Sequence, residues 1–203
     1  LDSITLPTSG TDAALIAQPD SERARAPVPG VLSVAGAVAH VGSRRLLVVP
    51  MHFTCCGTAG SWREYRRRVD AELVAGRIRL ALKHVKVDGI VAGGDMNLVS
   101  GRVALDTILS AVPKSPLGPM RRADALHIDG WTDWTWDGRG TAFVGGRLDN
   151  MTYSAGTLRV KSAFIWDTED LPTDSLRAHG LESRTSQSIN RHRPIVVDFT
   201  FMR

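Results

Sequence analysis

The sequence predicts one domain, residues 1–203, of the α/β or α+β class. Three observations carry this. Short apolar runs of strand length recur: "RRLLVVPMHF" (44–53), the core of "DGIVAGGD" (88–95) and "PIVVDFTFM" (194–202). Between the first two, Trp62, Tyr65, Val69, Leu73 and Leu80 recur at helical spacing. The order is then strand, helix, strand, helix, followed by strands, so both periods are present in one chain. A length of 203 residues suits one domain with a sizeable core.

Residues 1–29 read as irregular, rich in Pro, Ser, Thr and Ala, with one apolar patch at 13–17. "VLSVAGAVAHV" (31–41) mixes small and branched apolar residues and reads as a strand. The run 44–53 is bounded by polar groups and reads as a buried strand carrying His52 at its end. A helix follows from Ser61 to about Lys83. Ser61 stands three residues before Glu64, a capping box that satisfies early N–H groups. The apolar stripe faces inward and the arginines Arg63, Arg66, Arg67 and Arg68 take the other face, with Gly76 as a weak point.

Residues 88–95 turn and form a second buried strand ending in Asp95. A second helix spans 101–112, with Ser100 as its cap and Pro113 as its stop. The stretch 113–146 is dominated by turn chemistry and holds Trp131, Trp134 and Trp136 beside two Asp-Gly pairs. Residues 147–154 and 158–166 read as a strand pair joined at Ala155–Gly156, 174–180 as a short helix, and 194–202 as the last strand.

Composition excludes several classes. With 43% hydrophobic and 23% charged residues, the chain is globular rather than disordered. No run approaches the ~18 apolar residues of a membrane span, and no secretory signal is visible. The net charge of +4 favours anionic partners only weakly. Cys55 and Cys56 are adjacent, which disfavours a cross-link between them, so they read as two small buried side chains.

Chemistry-bearing residues collect at strand mouths: His52, Asp95 with Asn97, Asp149 and His192. Buried strands hold such groups rigidly while neighbouring loops admit a ligand. A carboxylate beside an imidazole is how a general base is built. An Asp with an amide two residues on, as in "GGDMN", suits holding a water or a phosphoryl oxygen. Gly93 and Gly94 let backbones approach closely.

Four segments, "VVPMHF", "GGDMN", "GGRLDNMTYS" and "NRHRPIVVDF", resemble the later blocks of the endonuclease/exonuclease/phosphatase superfamily, in the same order. The resemblance implies a four-layer sandwich, two packed β-sheets flanked by helices. It implies metal-dependent phosphoester hydrolysis, with His192 activating water, Asp149 as its partner, Asp95 positioning the nucleophile, Asn97 assisting and His52 stabilising phosphoryl charge. A Mg²⁺ or Mn²⁺ ion would be held at Asp95 and Asn97. The implied partner is a phosphate ester, nucleic acid included.

The chain departs from the pattern where metal would bind. Arg191 stands where the family has an Asp, and Asn190 where it has a Ser. Arg191 and its neighbour Arg193 either form an anion site or, for Arg191, point to solvent. The early block with a metal-binding Glu is not found; Glu22 is the sole Glu before residue 64 and lies in a proline-flanked basic segment. The first strands of the family domain thus look missing or altered. Asn150 replaces the aromatic that follows "RLD". Arg147 and Trp131 are candidate substrate contacts, and Trp134 with Trp136 either stack on a base or pack into the core. Two further readings compete: an impaired relative acting as a phosphate-binding module, and a scaffold using the basic helix.

Overall fold

A computed structural model describes residues 2–5, 35–99, 101–113 and 115–202. The larger sheet has six strands in the order β1-β2-β3-β4-β6-β5. These are β1 (Asp2–Thr5), β2 (Ala35–Val41), β3 (Arg44–His52), β4 (Gly89–Asp95), β5 (Met120–Arg122) and β6 (Asp149–Ser154). A second sheet pairs β7 (Leu158–Ile165) with β8 (Ile195–Phe201). Most neighbours are antiparallel; β3 and β4 run parallel, which requires the crossover that helix α1 (Trp62–His84) provides.

Helix α1 and helix α2 (Val103–Leu109) cover one face of the larger sheet. The core lies between them. Leu47, Val49 and Met51 alternate inward along β3, meet Ile90 and Ala92 of β4, and pack under Ala71, Val74, Ile78, Leu105 and Ile108. Each fully buried aliphatic side chain of this kind contributes about 1.5–3 kcal/mol. The smaller sheet packs on the opposite face. Tyr153 and Phe199 bring their rings to 5.3 Å across the gap, and a Cβ on Gly89 would touch Leu158 of β7 at 3.1 Å. On the far side of that sheet Val196, Asp198 and Thr200 are exposed. The two packed sheets with helices thus have the α/β sandwich architecture. No described helix is long and apolar enough to cross a membrane.

Several expectations change. Residues 147–154 and 158–166 were expected to form a hairpin. Instead β6 and β7 lie in different sheets, and the Ala155–Gly156 turn carries the chain from one to the other. Turn chemistry and alternation are the same in both cases, so the sequence does not separate them. Of the expected α1 stripe Leu73 is buried and Trp62, Tyr65, Val69 and Leu80 are half-buried; the buried face is rotated toward Glu64, Arg67, Asp70, Ala71, Val74, Ala75, Arg77, Ile78 and Ala81. Arg67 goes inside because its guanidinium reaches the carbonyls of Thr54 and Cys56 at 2.8 and 2.9 Å. Asp70 follows because it accepts from Thr54 N–H, Thr54 Oγ1 and Arg66. Ser61 does cap the helix, accepting from Glu64 N–H.

Helix α2 begins at Val103, after an Arg102 that makes no side-chain cap bond; the cap expected at Ser100 lies outside the described residues, as do positions 31–34 of the expected first strand, the apolar patch at 13–17 and Glu22. Residues 2–5, expected to be irregular, form β1. Cys55 and Cys56 are neither two separate thiols nor both buried: they form a disulfide with each other, and Cys55 is exposed. A left-handed φ of 69° at Cys56 lets the adjacent pair close.

Candidate active site

The sheet register builds most of the site. At the ends of the parallel pair, His52 stands opposite Asp95, and Asp95 stands opposite Asp149 on antiparallel β6. Cross-strand partners share a face of a sheet, so three side chains from three strands form one row. Gly93 and Gly94 make this close pairing sterically feasible. A Cβ on Gly94 would overlap the Met51 carbonyl, and one on Gly93 would come within 2.7 Å of the Asn150 carbonyl. Gly94 also has φ 141°, a conformation that glycine alone adopts freely.

His192 enters from the loop before β8. Its Nδ1 meets Asp149 Oδ2 at 2.8 Å, and its Nε2 lies 3.9 Å from Asp95 Oδ2. His52 Nε2 approaches the same Asp95 oxygen from the other side, at 3.6 Å, with a largely exposed side chain. With Asp149 accepting at Nδ1, that nitrogen carries the proton and Nε2 is left with its lone pair toward the cleft.

Asn97 serves Asp95. Its backbone N–H donates to Asp95 Oδ1 at 2.9 Å, and its Nδ2 donates to Asp95 Oδ2 at 2.8 Å and to the Phe53 carbonyl at 3.0 Å. It adopts φ 48°, which Asn tolerates better than most residues. Burial pushes the Asp95 carboxyl above the ordinary carboxylate range, and neighbouring Asp149 adds to this; the Asn97 N–H opposes it.

One oxygen each from Asp95 and Asp149 and one nitrogen of His192 lie within 4.8 Å of one another. The two carboxylates of this cluster fit a small divalent cation that takes its other ligands from water or substrate, with the imidazole beside it. Asn97, also expected to be a metal ligand, turns its amide nitrogen to Asp95 and so holds that carboxylate in place.

Three further residues support the dyad: Thr135, which the sequence did not single out, and Trp136 and Asn190, to which it gave no role beside the histidine. Thr135, fully buried, accepts from the backbone N–H groups of Leu148 and Asp149 through Oγ1 at 3.0 and 2.8 Å. Trp136 places its ring 5.0 Å from the His192 ring. Asn190 Oδ1 accepts from His192 N–H at 2.9 Å, so the residue replacing Ser still orients the histidine. The alternating "WTW" at 134–136 was the available signal. Trp134 and Trp136 are half-buried and line a shallow pocket of about 360 Å³ with Asp137, Gly138, Arg139 and Gly145. They pack on one side and face solvent on the other.

The expected substrate contacts fare differently. Arg193 is a correction: its side chain is wholly buried, bound to Asp167 at 2.5 Å and Asp137 at 3.1 Å, and cannot meet a ligand. Arg147 is another. It is nearly buried and donates to the carbonyls of Ala125 and Ala123 at 2.6 and 3.2 Å. Arg191 turns Nη1 to the carbonyls of Arg139 and Asp137, at 2.7 and 3.3 Å, so that end of its guanidinium is tied to main chain rather than pointing to open solvent. Trp131 is 89% exposed and its ring has no described partner, leaving it open to a ligand.

No protein-family model and no curated protein matches the sequence. Solved structures do. The mannosyl-6-phosphatase of Bacteroides thetaiotaomicron superposes with a TM-score of 0.55 at 16% identity, covering 84% of this chain and 58% of that one. The human Nocturnin catalytic domain with bound sulfate gives 0.49 at 18%, covering 84% and 54%. D. rerio TDP2 complexed with a single-strand DNA product gives 0.49 at 11%, covering 83% and 61%. The likeness to the phosphatase is one of fold. The chain spans little more than half the length of these structures.

Proposed function

We propose, with the endonuclease/exonuclease/phosphatase fold of this chain as the premise, that it hydrolyses phosphate esters with the help of a divalent cation. One observation carries the proposal. Asp95, Asp149 and His192, remote in sequence, converge their ligand-capable atoms within 4.8 Å, with His52 beside them.

In this reading Asp149 holds His192 in the Nδ1–H tautomer and stabilises the imidazolium that forms. His192 Nε2 takes a proton from the attacking water. Asp95, held through both oxygens by Asn97, orients that water. His52, exposed at the end of β3, meets the phosphoryl oxygens. Asp95 and Asp149 would hold a Mg²⁺ or Mn²⁺ ion. When bound, the ion supplies Lewis-acid neutralisation of the phosphate. Trp131 and the Trp134–Trp136 pocket offer flat apolar surface to the rest of the substrate, nucleic acid included.

The test is turnover of bis(p-nitrophenyl) phosphate with Mg²⁺, with Mn²⁺ and with chelator. Cation-dependent release that His192→Ala abolishes supports the proposal. Release unchanged in His192→Ala and Asp95→Ala would remove it. The alternative of a non-hydrolysing phosphate-binding module draws on the small ligand set, which holds no glutamate among the described residues.

A further inference from the structure

We propose that Cys55–Cys56 is a reversible thiol–disulfide exchange site, open to small dithiol reductants, whose state sets the order of the loop between β3 and α1. The inference stands apart from the hydrolytic reading.

The disulfide joins neighbours in sequence. It therefore closes no long loop and cannot act as a staple between elements, which is how most disulfides stabilise a fold. Its constraint falls on one peptide unit. Cys55 is exposed, so a thiolate has access to the bond. Cys56 is held at φ 69°, and Asn97 is the one other described non-glycine residue with positive φ. Asn tolerates that region, whereas Cys has no such tendency. The ring is what accounts for it.

What the two flanking peptide units carry gives the site a consequence. The Cys56 carbonyl accepts from Arg67 Nη1 at 2.9 Å, and the Thr54 carbonyl accepts from the same atom at 2.8 Å. Thr54 is held in turn by Asp70. Gly57, next in the chain, presses against the start of α1: a Cβ there would reach Ser61 Oγ, the helix cap, and Arg63 Cβ. On the other side, Phe53 donates its N–H to the Asp95 carbonyl at 2.9 Å and accepts from Asn97 Nδ2. The loop therefore links the buried Arg67 to the Asp95–Asn97 corner.

A thiolate of the reductant attacks one protein sulfur, the Cys55–Cys56 bond breaks and a mixed disulfide forms. The second thiol of the reductant displaces the protein sulfur. Two electrons and two protons pass to the protein, leaving two thiols, and the reductant departs as a cyclic disulfide. Once the ring is open, Cys56 relaxes to negative φ, its carbonyl swings off Arg67, and residues 54–60 loosen while β3 and β4 keep their ladder.

The experiment uses the whole chain, as purified in air and after dithiothreitol. Iodoacetamide should label neither cysteine before reduction and both after it. Amide hydrogen exchange across 54–60 should then rise at least tenfold, with β3 and β4 unchanged, and oxidised glutathione should restore protection. Cys55→Ser/Cys56→Ser should exchange like the reduced protein in both conditions; if it does not fold, the wild-type cycle decides alone. Labelling of the air-prepared protein, or a loop whose exchange ignores reduction, overturns the proposal.

Discussion

Asp149 and His192, 43 residues apart, meet at 2.8 Å, and the contact joins the two sheets of the molecule. Removing the charge while keeping the shape probes this pairing, with Mn²⁺ binding measured alongside to separate it from the carboxylate's part in holding a cation. Asp149→Asn is expected to lower kcat on bis(p-nitrophenyl) phosphate by about 10²- to 10⁴-fold, because the amide favours the wrong imidazole tautomer. KM should change far less. A kcat within threefold of wild type would sink the assignment.

Cation binding can be followed without turnover. Mn²⁺ should bind one site per chain, read by electron paramagnetic resonance of the free ion, and Mg²⁺ should displace it. Asp95→Ala and Asp149→Ala should each abolish binding, since two carboxylates supply the hard oxygens. Arg191→Ala should leave it unchanged, because that guanidinium is committed to main-chain carbonyls.

The buried cluster around Arg193 predicts an acid transition. Asp137 is held well below the ordinary carboxylate range, chiefly by the Arg139 side chain, with Arg193 adding to it. A depressed folded-state pKa stabilises the protein above the unfolded value of about 3.9, and that gain is lost as pH falls toward the folded value. Asp137→Asn should therefore lower Tm at pH 7, with the deficit against wild type shrinking below pH 4. A pH-independent deficit would contradict the linkage.

Arg193→Ala leaves Asp137 and Asp167 buried without their shared cation. Breaking a buried pair in this way costs about 3–5 kcal/mol. Urea unfolding should show this loss, and Arg193→Lys should not restore it, because one ammonium cannot replace a fork reaching both acids.

Gly94→Ala should be among the most damaging single changes. It forces a side chain into the Met51 carbonyl at φ 141°. The backbone strain alone is worth about 1–3 kcal/mol, and the clash adds to it. Circular dichroism should show a strongly lowered Tm or no folded protein.

The legible parts of the fold were those that local chemistry dictates. Strands β3 and β4 showed as bounded apolar runs, α1 as a capped helix, and "GGDMN" as a tight corner. The polar residues at strand ends gave the row of His52, Asp95 and Asp149, because register follows from where apolar runs stop. What escaped depends on long-range partners. Arg67 and Arg193 look like surface charge until the carbonyls and carboxylates that neutralise them are known. The split of β6 and β7 between sheets depends on which strands lie beside them, not on the turn. The Cys55–Cys56 bond depends on one unusual φ. Trp136 and Thr135 carried only a weak alternating signal.

The row at the end of the larger sheet is fixed by main-chain ladders, while His192 rides on the approach to the smaller one. A slip of one layer over the other would leave each sheet intact and still part imidazole from acid. The fit between the layers, seen where Tyr153 meets Phe199, thus doubles as an alignment gauge for the chemistry. Loosening it would silence the cleft well before the chain unfolds.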